Sequence, residues 1–486
     1  MNEKYYLKYG SASDASRARD RALYRLLEII PGALAWITLL GILVVSKFAP
    51  LFASFFIIAF DVYWLIKTVF LSLHLRASYR HMQQNAGEDW LAKLKEIPHQ
   101  SYQKEKMIVV LAVEERAGEE VRTAAEKLAK EFEPTFFKIT LFVHPKNIEG
   151  ELPGKGSNET WATRMAKEKV IDVLGISHER VIVSSFDIDT KTLPGYFSCL
   201  TYHYLTAESP LRSSYQPIPV YNNNIWSTPA FSRVVATSGT FWQLMQQSRP
   251  ERLTTFSTHS MPLVALIDMD YWHVNIVSED SRIFWQSLLY YDGDYRVVPL
   301  FYPVYMDANV APTFFETARN VYKQQRRWGW GVENLPYTFF GFTKNKKIPF
   351  RKKVFYLFNQ FEGFWSWATN SFILFLLGWL PPFVGGNEFG SSVLAYNLPF
   401  ITRTLMTLAM IGMVMSAIIS TSLLPSRPSG HPVRKYLWMV LQWALVPVTI
   451  VIFGSVPGLE AQTRLMFGKY MGFWVTPKFR RNSEAG

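Results

Sequence analysis

The sequence predicts a mixed α/β domain inserted between two groups of transmembrane helices. Three observations lead there. Uncharged apolar runs gather near both ends of the 486 residues, the middle alternates strand-like with helix-like segments, and many lysines and arginines flank the apolar runs. The overall hydrophobic content of 49% therefore averages two unlike regions.

Residues 29–46 (IIPGALAWITLLGILVVS) are uncharged and long enough to cross a hydrocarbon core of about 30 Å. A second run, 49–66 (APLFASFFIIAFDVYWLI), follows through Lys47 and Phe48, so 29–74 reads as a transmembrane hairpin. A polar segment ahead of the first run, 1–28, and a second run after it make a cleaved signal peptide the unexpected reading. Asp61 stands inside the second run, where an ionisable group is a functional candidate. It is expected to sit near the interface or to be paired, with Lys67 a short way along.

Three further candidates close the chain, at 363–384, 404–424 and 436–456. Basic residues before 29 and through 75–352 put both regions in the cytoplasm by the positive-inside tendency. Three full crossings after the middle domain would leave Arg464, Lys469, Lys478, Arg480 and Arg481 outside, so 436–456, which contains Pro447, is expected to be re-entrant or interfacial. The predicted organisation is a cytoplasmic segment 1–28, the hairpin 29–74, a domain at 100–345, interfacial and transmembrane helices at 349–456, and a tail 457–486. The setting is a multi-pass cell-membrane protein with its domain in the cytoplasm.

The net charge of +12 suits anionic lipid or a phosphorylated substrate; its position beside the apolar runs argues against nucleic acid. Cys199 is the only cysteine, which excludes an intrachain disulfide and a multi-thiolate metal site.

In the middle, MIVVLAV (107–113), FKITLFV (137–143) and VIVSSF (181–186) read as strands. EEVRTAAEKLAKEF (119–132) and WATRMAKEKVIDVLG (161–175) read as helices between them. This alternation predicts a parallel sheet flanked by helices, with ligands outside the carboxyl ends of the strands. Neither GxGxxG nor GxxxxGK[ST] occurs, so a dinucleotide fingerprint and a Walker A loop are absent.

Asp187 and Asp189 follow the third strand directly, and carboxylates at i and i+2 there can hold a hard divalent cation against a diphosphate. Such a pair also occurs as plain solvated loop acids. Asp268 and Asp270, after PLVALI (262–267), compete for the role but crowd the next acidic pair, which favours a structural part for them. Ser278-Glu279-Asp280 precedes RIFWQSLLYY and is either a helix N-terminus capped by Ser278 or a source of a general base, Asp280. Gln324-Gln325-Arg326-Arg327-Trp328 is either an amphipathic basic helix at the membrane or a site element. In the second case arginine neutralises diphosphate oxygens and the indole stacks on a sugar ring.

In chain order stand Gly154-Lys155-Gly156-Ser157-Asn158, DID at 187–189, SED at 278–280, QQRRW at 324–328, and Phe473-Trp474-Val475-Thr476-Pro477-Lys478. The series resembles the processive family 2 glycosyltransferases, such as cellulose and hyaluronan synthases. Their pattern is GK…N, D-x-D, T-E-D and Q-x-x-R-W, with an F-x-V-T-x-K gating loop in cellulose synthases. The resemblance covers roughly residues 105–480.

The resemblance implies a Rossmann-like GT-A domain that transfers a sugar from a nucleotide sugar, a UDP-sugar by preference, with inversion. The acceptor would be a growing polysaccharide, extended processively and translocated; single transfer to a lipid carrier is the alternative. By the same resemblance, Asp187 and Asp189 contact the diphosphate and its Mg or Mn ion, and Lys155 lies near the nucleotide. Asp280 is the base, Glu279 accompanies it at the acceptor, and Gln324, Arg327 and Trp328 shape the acceptor and diphosphate end. Thr476 and Lys478 belong to a loop that closes over the donor.

Two departures stand out. The family's V-P-x-Y-N-E is replaced by Val113-Glu114-Glu115-Arg116, which gives base recognition to Glu114 or Glu115. Its D-D-x-S element is replaced by Val143-His144-Pro145, which leaves uridine recognition open; His144 has no partner at metal-ligand spacing. A non-catalytic scaffold of the same fold is countered by the intact carboxylates, and a transporter by the large charged domain.

Overall fold

The computed structural model describes residues 4–97, 104–428, 432–477 and 479. Its architecture is mixed α/β with long apolar helices on either side of the sheet region. The strands are β1 (Ile108–Glu114), β2 (Lys138–His144), β3 (Ile182–Ser185), β4 (Lys191–Thr192), β5 (Ser213–Val220), β6 (His259–Pro262) and β7 (Arg296–Tyr305). β1 and β2 pair in parallel, as the intervening helix Glu119–Phe132 requires.

The main sheet corrects the expectation of an all-parallel one. Its order is β3-β6-β5-β7-β4, with only β5 and β7 parallel. β1 and β2 form a separate two-stranded sheet. Proline explains the irregularity at the centre. Pro217 and Pro219 in β5, and Pro299 and Pro303 in β7, lack ladder donors, and the register shifts between Gln216 and Ile218. Two fully buried glutamines repair the gap. Gln247 donates to Gln216 O at 3.0 Å and accepts from Phe301 N at 3.0 Å, where φ is +46°. Gln216 itself accepts from Phe256 N at 2.9 Å and donates to Thr258 O at 3.2 Å.

The helices Ala18–Phe48, Pro50–Gly87, Val393–Ser422 and Arg434–Met466 are long and apolar enough to cross a membrane. Pro50 opens the second helix at its first turn, where a missing amide costs nothing, and Ala49 makes the hairpin bend. A further helix, Phe350–Phe375, runs beside the hairpin. Lys67 pairs with Glu362, Phe60 meets Trp365 edge-on at 6.2 Å, and Pro50 lies against Gly385 beyond the helix. Lys67 thus answers Glu362 and not Asp61, which is buried in the bundle.

The segment Arg434–Met466 behaves differently. It contacts the sheet region near both ends: Lys435 donates to Trp226 O and Arg233 to Gln442 at 2.6 Å, while Arg326 pairs with Glu460 at 2.7 Å. Pro447, Pro457 and a π turn at Val451–Ser455 break its regularity. The N-terminal strip is also no free segment. Tyr6, Leu7, Tyr9, Ala12 and Ala15 are buried in one core with Met261, Trp272 and Ile283.

The first and last long helices cross at Gly32. A Cβ there would stand 2.7 Å from Gln462 O and 2.8 Å from Met466 Cβ, and Trp36 donates to Thr463 Oγ1 at 2.9 Å nearby. Gly41 in the same helix has open space around it. Gly32→Leu is therefore expected to abolish a monodisperse, cooperatively melting protein in detergent, whereas Gly41→Leu leaves it intact. Size-exclusion profiles and melting curves of the two variants check this.

Candidate active site

Lys155 opens the helix Lys155–Ala166, with Gly154 at φ +159° making the turn that precedes it. Its ammonium lies 2.8 Å from Asp187 Oδ1 and 3.5 Å from Glu159 Oε1, one helical turn on. Burial works against that charge. The carboxylates of Asp187, Glu159, Asp280 and Glu279 outweigh burial and hold the Lys155 pKa well above its ordinary value. Glu159 also accepts from Ser185 Oγ, at the end of β3.

Asp187 and Asp189 leave β3 with alternating side chains. Ile188 between them is 95% exposed, while Asp189 is buried and Asp187 half-buried. Asp187 accepts from Ser257 Oγ at 2.6 Å. Asp189 accepts from Asp307 N at 3.0 Å, which ties the end of β7 to the loop after β3. Asn223 strengthens that tie by donating to Asp189 O at 3.0 Å and Asp307 Oδ1 at 2.9 Å.

Glu279 and Asp280 begin the helix Glu279–Tyr290. Ser278 does not cap it through its side chain. The hydroxyl donates instead to Glu333 Oε1 at 2.6 Å, and the same oxygen accepts from Ser278 N (2.9 Å) and Val277 N (3.1 Å). Trp330 Nε1 reaches the other Glu333 oxygen at 2.8 Å. The buried Glu333 carboxylate thereby fastens the SED turn to the segment just after QQRRW. Arg282, fully buried, adds a second fastening through Asn334 Oδ1 (2.5 Å), Glu333 O (3.1 Å) and Tyr9 O (3.2 Å).

Burial raises the pKa of both Glu279 and Asp280. They differ in company. Glu279 packs against Gly156 at 2% exposure, and Asp280 beside it pushes its pKa further up. Asp280 is partly exposed and feels Lys155 and Arg327, which hold its own rise in check. Two adjacent acids in unlike surroundings are pushed apart in their titrations, Glu279 upward the more strongly.

The QQRRW motif ends the helix Phe314–Gly329, started by a Thr313–Glu316 capping box. Helical spacing puts Gln324, Arg327 and Trp328 on one face. Arg326 turns away to Glu460. Arg327 lies 4.9 Å from the Phe473 ring, and its charge acts on Asp280. Trp328 meets Tyr221 at a centroid distance of 6.1 Å and lines a small cavity with Gln324, Asp307 and Asn309. Tyr221, just past β5, is surrounded by Asp187, Asp189, Arg327 and Asp280; burial, reinforced by the three acids, raises its pKa.

The segment after Met466 returns to this cluster. Phe473 packs on Gly154 so closely that a Cβ there would be 2.7 Å from the ring, Lys323 sits 5.2 Å from the Trp474 ring, and the hydroxyl of the buried Thr476 has no hydrogen-bond partner among the described residues. Lys478 lies outside the described residues. Glu114 ends β1 and pairs with Arg116 at 3.1 Å, while Glu115 pairs with Lys146 at 3.4 Å. His144 is held by Glu151 at 2.9 Å. Asp268 accepts from Tyr291 and Asp270 pairs with Arg164, both at 2.6 Å, so the second D-x-D braces the surface.

Tyr221, Glu159, Ser257, Asp307 and Glu333 were not singled out from sequence. Only Glu159 carried a local signal, its i+4 spacing from Lys155. Around Lys155 and Arg327 stand five carboxylates, those of Glu159, Asp187, Asp189, Glu279 and Asp280. That excess of carboxylates over basic side chains supplies oxygen donors of the kind a divalent cation takes. Among the described residues no three potential ligands converge. A Mg-like ion held by one or two carboxylates and phosphate oxygens does not require three.

Replacing Glu333 by Ala strands its buried donors, at about 1–3 kcal/mol each. Glu333→Ala is expected to destabilise the protein by about 3 kcal/mol or more, and Glu333→Gln by clearly less; melting in detergent followed by tryptophan emission measures both. An unchanged midpoint for the alanine variant would remove Glu333 from this role.

No model of a known protein family and no curated protein matches the chain.

Proposed function

We propose that this chain is a membrane-embedded inverting glycosyltransferase with a GT-A-type domain, similar to the processive family 2 enzymes. It extends a polysaccharide from a nucleotide sugar and feeds the product across the bilayer. One observation carries the reading. Lys155, Asp187, Asp280, Arg327 and Phe473 come from five separate motifs in the family order, and all of them meet around one cluster. An amphipathic surface helix or a capped helix end would explain one motif each, but not their convergence.

In this reading Lys155 and Arg327 neutralise the nucleotide diphosphate, and Asp280 accepts the proton of the acceptor hydroxyl as that oxygen attacks the anomeric carbon. The nucleoside diphosphate leaves from the opposite face, so the centre inverts without a covalent intermediate. Asp187 and Asp189 would hold a Mg or Mn ion. When bound, such an ion offsets charge on the diphosphate oxygens. Trp328 offers a flat apolar face to the acceptor sugar, and Tyr221 backs it.

The helix contacts support one membrane arrangement in this reading. The hairpin, the helix Phe350–Phe375 and the helix Val393–Ser422 cross the bilayer, while Arg434–Met466 lies along the cytoplasmic interface. Contacts of the last segment with the sheet region near both ends support this. So does its row of exposed Leu437, Trp438, Leu441 and Val448. The basic tail then stays on the cytoplasmic side, in line with its charge.

A panel of radiolabelled nucleotide sugars, offered to membranes with and without Mg or Mn, tests the proposal. The expected result is metal-dependent label in a long polymer. Label confined to one sugar on a lipid would sink processivity, and no transfer from any donor would sink the reading. With the donor so found, Asp280→Asn is expected to lower kcat at least 10³-fold while nucleotide affinity changes little. Because burial raises the Asp280 pKa and the base must be ionised, activity should rise with pH along an acid limb above the ordinary aspartate value of about 4. A pH profile of kcat/KM checks that limb.

A further inference from the structure

The first long helix grips the root of the segment that returns to the site. Arg25 donates from Nη1 to Leu465 O at 2.9 Å and from Nη2 to Met466 O, so its guanidinium covers the last carbonyls of the final helix. Glu28, 1% exposed, receives Arg25 Nη1 at 2.7 Å and the Ala12 amide at 3.0 Å. It also accepts the Tyr470 hydroxyl, at 2.9 Å to one oxygen and 3.1 Å to the other. Gly468, at φ +66°, turns the chain between these two grips. Three residues past Tyr470, Phe473 rests on Gly154 and Arg327.

The same bracket reaches the acid pair. Asp14 accepts from Asn275 Nδ2 at 3.0 Å, and Arg282, on the helix that begins with Glu279 and Asp280, donates to Tyr9 O at 3.2 Å. Residues 4–15 therefore join the root of the tail segment to the SED turn, through contacts that run outside the cluster itself.

We propose that Glu28 and Tyr470 are positioning residues. Their hydrogen bond sets segment 467–477 in the register that places Phe473 on Gly154 and Arg327 and buries Thr476, and it thereby controls how tightly donor is held. The inference rests on the glycosyltransferase reading for its link to donor. The bond itself stands on the hydrogen bonds alone. Glu28 keeps Arg25 and the Ala12 amide if the phenol is lost, so Tyr470→Phe removes one hydroxyl without stranding the carboxylate.

Two measurements on full-length protein in detergent test the proposal. The first is tryptic cleavage after Lys469, followed by mass spectrometry. The second is the split of donor KM from kcat. Tyr470→Phe is expected to speed cleavage after Lys469 by about tenfold, the effect of losing one hydrogen bond to a charged group. It should raise donor KM by a similar factor with kcat nearly unchanged, and leave the melting midpoint within about 2 °C.

Cleavage and KM both at wild-type levels would overturn the proposal and leave the hydroxyl a merely structural group. Faster cleavage with an unchanged KM would overturn the link to donor. If wild type turns over no nucleotide sugar, the glycosyltransferase reading fails on its own. The cleavage rate then decides the Glu28–Tyr470 bond separately, with unchanged cleavage overturning it. Tyr470→Ala, which also removes the ring, should exceed Tyr470→Phe in both measurements; the reverse order would count against a role for the hydrogen bond.

Discussion

A lysine ammonium held among carboxylates is the interaction on which the rest of the site depends. Lys155 touches Asp187 at 2.8 Å and shares its charge with Glu159, Glu279 and Asp280. Without it, four buried or half-buried acids would face one another, with Arg327 as the cation left beside Asp280 among the described residues. Breaking a buried pair by removing one partner costs about 3–5 kcal/mol. The carboxylates outnumber the basic side chains at this point even with Lys155 in place, and the proposed function gives the difference to a divalent cation.

The fold surrounds this cluster with fastenings drawn from distant parts of the chain. The amide of Asp307 fixes Asp189 from the end of β7, Glu333 fixes the SED turn from beyond QQRRW, and Phe473 closes on Gly154 from the tail. Each fastening ends on a residue next to a charged side chain of the cluster, or on that residue itself. The long apolar helices share in this. Arg25 and Glu28 stand at the start of the first long helix, and Glu460 near the end of the last one pairs with Arg326 of QQRRW. A shift of the helices against the domain would be felt at the site through these pairs.

What could be read from sequence was local. The strands β1, β2 and β3 fall within about a residue or two of the Val/Ile/Leu runs that announce them, because side-chain burial is written in consecutive residues. The helix 119–132 agrees end to end. The positions of DID and SED after a strand and before a helix were legible for the same reason. The sheet order was not. Prolines 217, 219, 299 and 303 hide the strand pattern of β5 and β7, and the pairing is completed by Gln216 and Gln247 side chains that no periodicity reveals. The burial of residues 4–15, and the bonds from Glu333 to Ser278 and from Tyr470 to Glu28, depend on partners 55 to 442 positions away. Proximity of that kind is a property of the fold and not of any short segment.

In the proposed enzyme the acids after β3 hold a divalent cation against a nucleoside diphosphate. Electron paramagnetic resonance of Mn²⁺ bound to the purified protein, with uridine or guanosine diphosphate added, tests it most directly. The expected result is one Mn²⁺ that binds only with nucleotide, shows phosphorus couplings, and is lost in Asp187→Asn together with Asp189→Asn. Nucleotide-independent Mn²⁺, or phosphorus couplings that survive the double substitution, would contradict it.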